Sequence, residues 1–251
     1  MFRRQLVTKY FDDNARPYIE SGSFQFGTLK RYRDEERTAT EFLEQDKGEG
    51  KNTVGIFPAN GKIDHIRFSS GEEIIGGTFT GGGPDSVPIK YENVVNDYVF
   101  CTSIGGYSRH QHEVMTRGVK LENGDAYLGS DKLKNYAVID VAKFIMGLEA
   151  VLKNHAVWKT SLEVCQALIF RPVQYGQRNR NRHVSSNYKI TNGDVNQDYF
   201  DAVFTKPTIY SPEKEFRFVL RPRSPFGIGS ELYPLSLQHK LFRRAIMDIG
   251  P

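Results

Sequence analysis

Cysteine is scarce: Cys101 and Cys165 are the two that 251 residues carry. They have neither the number nor the spacing of a disulfide framework or a zinc site, so a reducing cytoplasm is the expected compartment. No apolar run of about 18 residues occurs, which leaves no candidate membrane-spanning helix. The opening M-F-R-R-Q-L-V-T-K-Y-F has two arginines but no apolar stretch of signal-peptide length. We therefore expect a soluble, unexported, cytoplasmic chain without membrane contact. Phosphate-loop signatures are missing as well. The glycines between Asn52 and Pro88 are followed by no G-K-[ST] and no helical pattern, and G-x-G-x-x-G is absent. Hairpin corners between short strands explain them better.

What is present suffices for a real core. The chain is 39% hydrophobic and 12% aromatic, and no repeat or low-complexity linker divides it. The reading is a single α+β domain over residues 1–251, a strand-rich split sheet with a few packing helices. Lys and Arg total 34 against 30 Asp and Glu, a net +4 that permits an anionic partner without requiring one.

Gln5 to Phe11 reads as a strand, Asp12 to Ser21 as a short helix that Gly22 stops, and Ser23 to Gly27 as a second strand. Lys30, Arg31, Tyr32 and Arg33 then form a basic turn suited to a phosphate, or equally to solvent. Asp34 to Lys51 is dense in charge and reads as an exposed helix or loop. Asp97 to Ile104 is a strand ending in Thr102 and Ser103, small hydroxyls able to bond a carboxylate on a neighbouring strand. His110-Gln-His112 has metal-like spacing, but the remaining histidines are isolated, and we expect no metal site.

Asn135 to Asp140 is a strand. Val141 to Asn154 is the clearest helix, with Val141, Phe144, Ile145, Leu148, Val151 and Leu152 forming one apolar stripe. After a strand from Val164 to Tyr175, Arg178, Arg180 and Arg182 alternate with asparagine in what reads as a loop, flanked by Tyr175 and Tyr188. That composition suits nucleic acid, with arginine for phosphate and aromatics for stacking, and it also suits a plain surface loop. Leu232 to Ile249 reads as a closing helix.

The most informative stretch is Glu213-Lys-Glu-Phe-Arg-Phe-Val-Leu220. Period 2 in an extended chain puts Glu213, Glu215, Arg217 and Val219 on one face and Phe216, Phe218 and Leu220 on the other. Ser211-Pro212 should break any preceding helix, so the acidic pair is expected where a loop becomes a strand. Two readings fit: a catalytic carboxylate pair, or an edge strand with a solvated charged face in which Arg217 pairs with Glu215.

In order, V-T-K-Y, I-E-S-G-S-F-Q-F-G-T-L-K-R-Y-R, F-C-T-S and E-K-E-F-R-F-V-L resemble an uncharacterised bacterial domain family. That family has a Tyr-Lys-Tyr-type opening, a Cys-x-Ser strand and a Glu-x-Glu-(aromatic)-Arg strand. The layout is similar to the ADP-ribosyltransferase fold of bacterial toxins. The resemblance implies NAD as substrate, Glu215 as the catalytic glutamate and Glu213 as the group acting on the acceptor. It gives Lys9 or Tyr10 the first-strand NAD position, where the fold usually has Arg or His. Cys101-Thr102-Ser103 stands in for Ser-Thr-Ser, and Arg31 or Arg33, beside Tyr32, takes the diphosphate. It further implies a toxin or anti-phage defence effector, RNA or DNA as acceptor, and an antitoxin or chaperone as a partner. The alternative from another class is a non-catalytic nucleic-acid or partner-binding domain on the same scaffold. A metal-dependent nuclease would need more carboxylates than Glu213 and Glu215 supply.

Overall fold

The computed structural model describes residues 4–32, 51–58, 66–67, 73–74, 89–94, 97–154, 165–177, 180–184, 192–222 and 234–251. Arg33, Arg178, most of the charged segment after Tyr32 and most of the glycine-rich corners lie outside them. Described strands in chain order are β1 (Leu6–Phe11), β2 (Ser23–Thr28), β3 (Lys51–Pro58), β4 (Ile66–Arg67), β5 (Glu73–Ile74), β6 (Ile89–Val94) and β7 (Tyr98–Ile104). They continue with β8 (Val119–Lys120), β9 (Ala126–Tyr127), β10 (Asn135–Asp140), β11 (Cys165–Pro172), β12 (Gln174–Tyr175) and β13 (Arg180–Val184). The last are β14 (Thr205–Lys206), β15 (Glu215–Pro222), β16 (Leu235–Gln238) and β17 (Ile246–Gly250). The helices are α1 (Arg16–Glu20), α2 (Arg109–Arg117), α3 (Val141–Asn154), α4 (Asn192–Phe204) and α5 (Lys240–Ala245), with a 3-10 helix over Thr208–Glu213.

The class is mixed α+β, and its main sheet is antiparallel, in the order β11-β15-β7-β1-β10-β17, with β2 joining β7 to β16. One face is aromatic. Phe24, Phe26, Phe100, Phe216 and Phe218 project from it against Phe144 of α3 and Phe242 of α5, all at most 3% exposed. The α3 stripe falls as its spacing predicts: Val141, Phe144, Leu148, Val151 and Leu152 are buried. Each such side chain contributes about 1.5–3 kcal/mol over leaving it in water. The opposite face carries a smaller core in which Val99 and Val219 meet Tyr199, Ala202, Val203 and Phe204 of α4, and Leu29.

Capping is local. Asp12 accepts a hydrogen bond from Ala15 N at 2.9 Å, α1 takes proline in its first turn, and Gly22 ends it at φ +79°, a conformation an L side chain rarely adopts.

Four expectations are corrected. The closing helix is mostly strand: β16 and β17 flank the six-residue α5, because Leu235–Gln238 pairs with β2 and Ile246–Gly250 with β10. Ser211-Pro212 does not stop a helix, since the 3-10 turn runs through both and ends at Glu213. The arginine loop is partly strand, with Arg180 and Arg182 in β13 beside β3, parallel, in a separate three-stranded sheet β13-β3-β6. Finally, β15 is no solvated edge. It lies between β11 and β7, with Glu215 and Arg217 buried.

Candidate functional site: a cavity where the sheet divides

A strand has two edges, and β15 covers one edge of β7 from Tyr98 to Ser103. On the other edge β7 has two partners. Tyr98 and Val99 pair with β2, whereas Ser103 and Ile104 pair with β1. The sheet therefore divides at residues 100–102, and backbone groups at the division need other partners. Lys9 supplies one: its Nζ donates to Cys101 O at 3.0 Å. Over the division, on the face of the smaller core, lies a cavity of about 320 Å³. Its floor includes Tyr10, Cys101, Ser103, Glu215 and Arg217, and its walls include Met115 of α2, Leu133, Tyr32, Glu213 and Lys206. Tyr32 reaches it because residues 29–32 turn helical and fold the ring over Gly27, where a Cβ would sit 2.8 Å from that ring.

Glu213 and Glu215 converge through one unusual residue. Lys214 has φ 47° and ψ 45°, the left-handed conformation, between the end of the 3-10 helix and the start of β15. A non-glycine residue held there costs roughly 1 kcal/mol. The two acids thus reach the same cavity from different elements, not as alternate positions of one strand.

The acids are held by cations. Arg217 Nε donates to Glu215 Oε1 at 2.6 Å, and a second nitrogen of the guanidinium donates to Val203 O of α4. Lys206 Nζ lies 2.9 Å from Glu213 Oε2 and 3.2 Å from Glu215 Oε2. The Glu215 backbone N donates to Tyr175 Oη at 2.7 Å. Burial by itself would raise the Glu215 carboxyl, but Arg217 and Lys206 outweigh it and hold it well below the usual carboxylate range. Glu213 goes the other way, raised by burial and by the charge of Glu215, with Lys206 only partly opposing. Two neighbouring carboxylates with pKa values pushed apart have the pattern of a fixed anion beside a proton acceptor. Burial and Glu215 also raise the Cys101 thiol, which hydrogen-bonds the Glu215 carboxylate and is a poor nucleophile there. Tyr10, 5% exposed, is pushed up to about 12 by burial and Tyr107, and its buried hydroxyl has no hydrogen-bond partner among the described residues.

Of the residues singled out in the sequence, Lys9, Tyr10, Tyr32, Thr102, Ser103, Glu213 and Glu215 line this one cavity. Arg31 is exposed and does not line it, Arg33 and Arg178 lie outside the described residues, and Arg180 and Arg182 belong to the separate sheet. Thr102 does not bond the Glu215 carboxylate. Its hydroxyl donates to Phe216 O at 2.9 Å, and Cys101 serves the carboxylate instead. His112 of the His-x-His pair bonds Leu133 O at 2.8 Å, and no metal-binding group of three or more ligands occurs among the described residues. The sequence reading missed Lys206, and took Tyr175 only as an aromatic flanking the arginine loop, whereas its hydroxyl accepts from Glu215 N. A lone lysine before Pro207 carries no motif, and only the pairing of β14 with β12 (Tyr175 beside Lys206) brings them together.

Compared with family models, curated proteins and solved structures, the chain finds no significant match. No helix among the described residues is long and apolar enough to cross a membrane.

Proposed function

We propose that this chain is an NAD-dependent ADP-ribosyltransferase, a toxin or defence effector whose acceptor is a nucleic acid. The observation that supports it is the convergence on one 320 Å³ cavity of Lys9 and Tyr10, Thr102 and Ser103, and Glu213 and Glu215, three segments distant in the chain. That volume is at the small end for ligand sites, enough for the reacting nicotinamide-ribose end of the dinucleotide.

On this reading Glu215, kept ionised by Arg217 and Lys206, faces the ribose and stabilises the positive charge that grows as the C1′–N bond breaks. Nicotinamide leaves with the bonding pair. An acceptor oxygen or nitrogen bonds C1′, and its proton passes to Glu213, whose raised pKa suits a base working near neutrality. The nucleic-acid acceptor rests on the arginine composition of residues 178–182.

A second reading, a non-catalytic binding domain, is favoured by one fact: Arg217, Lys206 and Cys101 already engage the Glu215 carboxylate. Nicotinamide release from NAD, with and without RNA, separates the two. We expect release by the wild type, label transfer to RNA, and a loss of about 100-fold or more in Glu215→Gln shown by circular dichroism to be folded. A folded wild type that neither binds NAD nor releases nicotinamide overturns the transferase reading in favour of the binding one.

A further inference from the structure

Among the described residues, the ionic cluster contains one group that touches both acids. Lys206 Nζ lies within 3.2 Å of an oxygen of each, whereas Arg217 hydrogen-bonds Glu215 and not Glu213. Its placement is built from three sides. The ammonium lies 4.6 Å from the centre of the Tyr210 ring, Lys206 O accepts from Gly176 N at 2.8 Å, and β14 is paired with β12. Its side chain is 11% exposed, against 18% for Glu213 and 5% for Glu215. A lysine buried to that degree is retained only with compensating charge, and here the compensation is shared between two carboxylates of unequal environment.

We propose that Lys206 is the positioning residue of this site: by bridging Glu213 and Glu215 it holds the two carboxylates in register and sets the pH at which Glu213 becomes available as a base. The proposal deepens the transferase reading, since the work of Glu213 rests on it, but the bridge itself is testable without NAD. Facing the pair are Arg217 from β15, the Cys101 thiol from β7, Tyr127 from β9, Tyr175 from β12 and Tyr210 from the 3-10 helix. Burial and the two acids raise the Tyr127 and Tyr175 phenols, so neither carries charge near neutrality. Arg217 is committed to Glu215 and to Val203 O. Among the described residues, Lys206 is therefore the cation placed to offset the charge of Glu213.

The sign of the pH effect follows. With its pKa raised, folded Glu213 keeps a proton that the unfolded chain gives up near pH 4.3, so its contribution to stability falls as pH rises through the raised value. Glu215, with its pKa lowered, contributes stability above the ordinary glutamate range and loses it as pH falls below. Removing Lys206 raises Glu213 further, so the variant should suffer most where Glu213 has to ionise.

The experiment is thermal melting of the full chain at about pH 5 and about pH 8 for wild type, Lys206→Met and Lys206→Arg, each also in a Glu213→Gln background. We expect the melting gap between wild type and Lys206→Met to narrow by at least about half at the lower pH, Lys206→Arg to keep the wild-type pH dependence, and Glu213→Gln to remove the pH dependence of the gap. If Lys206→Met alone does not fold, it should fold when Glu213 is also changed to Gln. A gap equal at both pH values, an arginine variant that behaves as the methionine one, or a double variant that also fails to fold overturns the proposal. In the activity arm, the acid limb of nicotinamide release should move to higher pH in Lys206→Met and stay in place in Lys206→Arg. A wild type that releases no nicotinamide sinks the transferase reading alone, and the melting data still decide the role of Lys206.

Discussion

The two faces of strand β15 are made from alternate letters of one eight-residue segment, and they are built on opposite rules. Phe216, Phe218 and Leu220 enter the aromatic core, where rings meet at centroid distances such as 5.3 Å for Phe216 and Phe218 and 4.9 Å for Phe144 and Phe218. Glu215 and Arg217 enter the other face as ions and meet Lys206, a backbone carbonyl and a cavity. Both sets are equally hidden: Phe216 is 1% exposed, Arg217 2% and Glu215 4%. Apolar burial stabilises in proportion to area and needs no partner. Ionic burial costs several kcal/mol per charge before partners return any of it, so stability alone is a weak reason to keep it. The difference between the faces makes the ionic side the one that the proposed chemistry would use.

That contrast breaks most completely at Arg217. Arg217→Ala leaves the Glu215 carboxylate buried beside Lys206 as the one remaining cation among the described residues and removes the bond to Val203 O, and we expect a loss of about 4–5 kcal/mol in chemical denaturation. On the aromatic face, Phe144→Ala opens a void among Phe24, Phe100, Phe218 and Phe242 and should cost about 3–4 kcal/mol in the same measurement. The two variants should agree in being insensitive to salt. The Arg217 cost concerns charges out of reach of solvent, and the Phe144 cost concerns none, so neither should depend on ionic strength as a surface pair would. The smallest effect belongs to Lys214, which is exposed and left-handed. Lys214→Gly removes the steric penalty there and should change stability by less than about 1 kcal/mol, toward the stable side, with nicotinamide release kept.

Those residues also show what a sequence can reveal. The aromatic face was legible because period 2 in Glu213 to Leu220 and period 3.6 in α3 are written in the letters themselves. The acidic pair was legible as a pair, but its convergence was not, because it depends on one backbone conformation at Lys214. Lys206 was invisible for another reason: its role comes from a two-residue strand pairing, and no local pattern announces so short a contact. The tail misled because K-L-F-R-R-A has helical character while the residues on either side pair with β2 and β10, and tertiary pairing overrode propensity.

The division of the sheet at β7 has a kinetic side. The Lys9 to Cys101 bond closes 92 residues of chain and the Thr102 to Phe216 bond closes 114, so each side of the cavity waits on a long loop closure before any contact repays it. The turns of α3 close within Val141–Asn154 and need no such wait, although the packing of its apolar stripe does. A refolding chain should therefore recover helical signal well before its pocket is assembled.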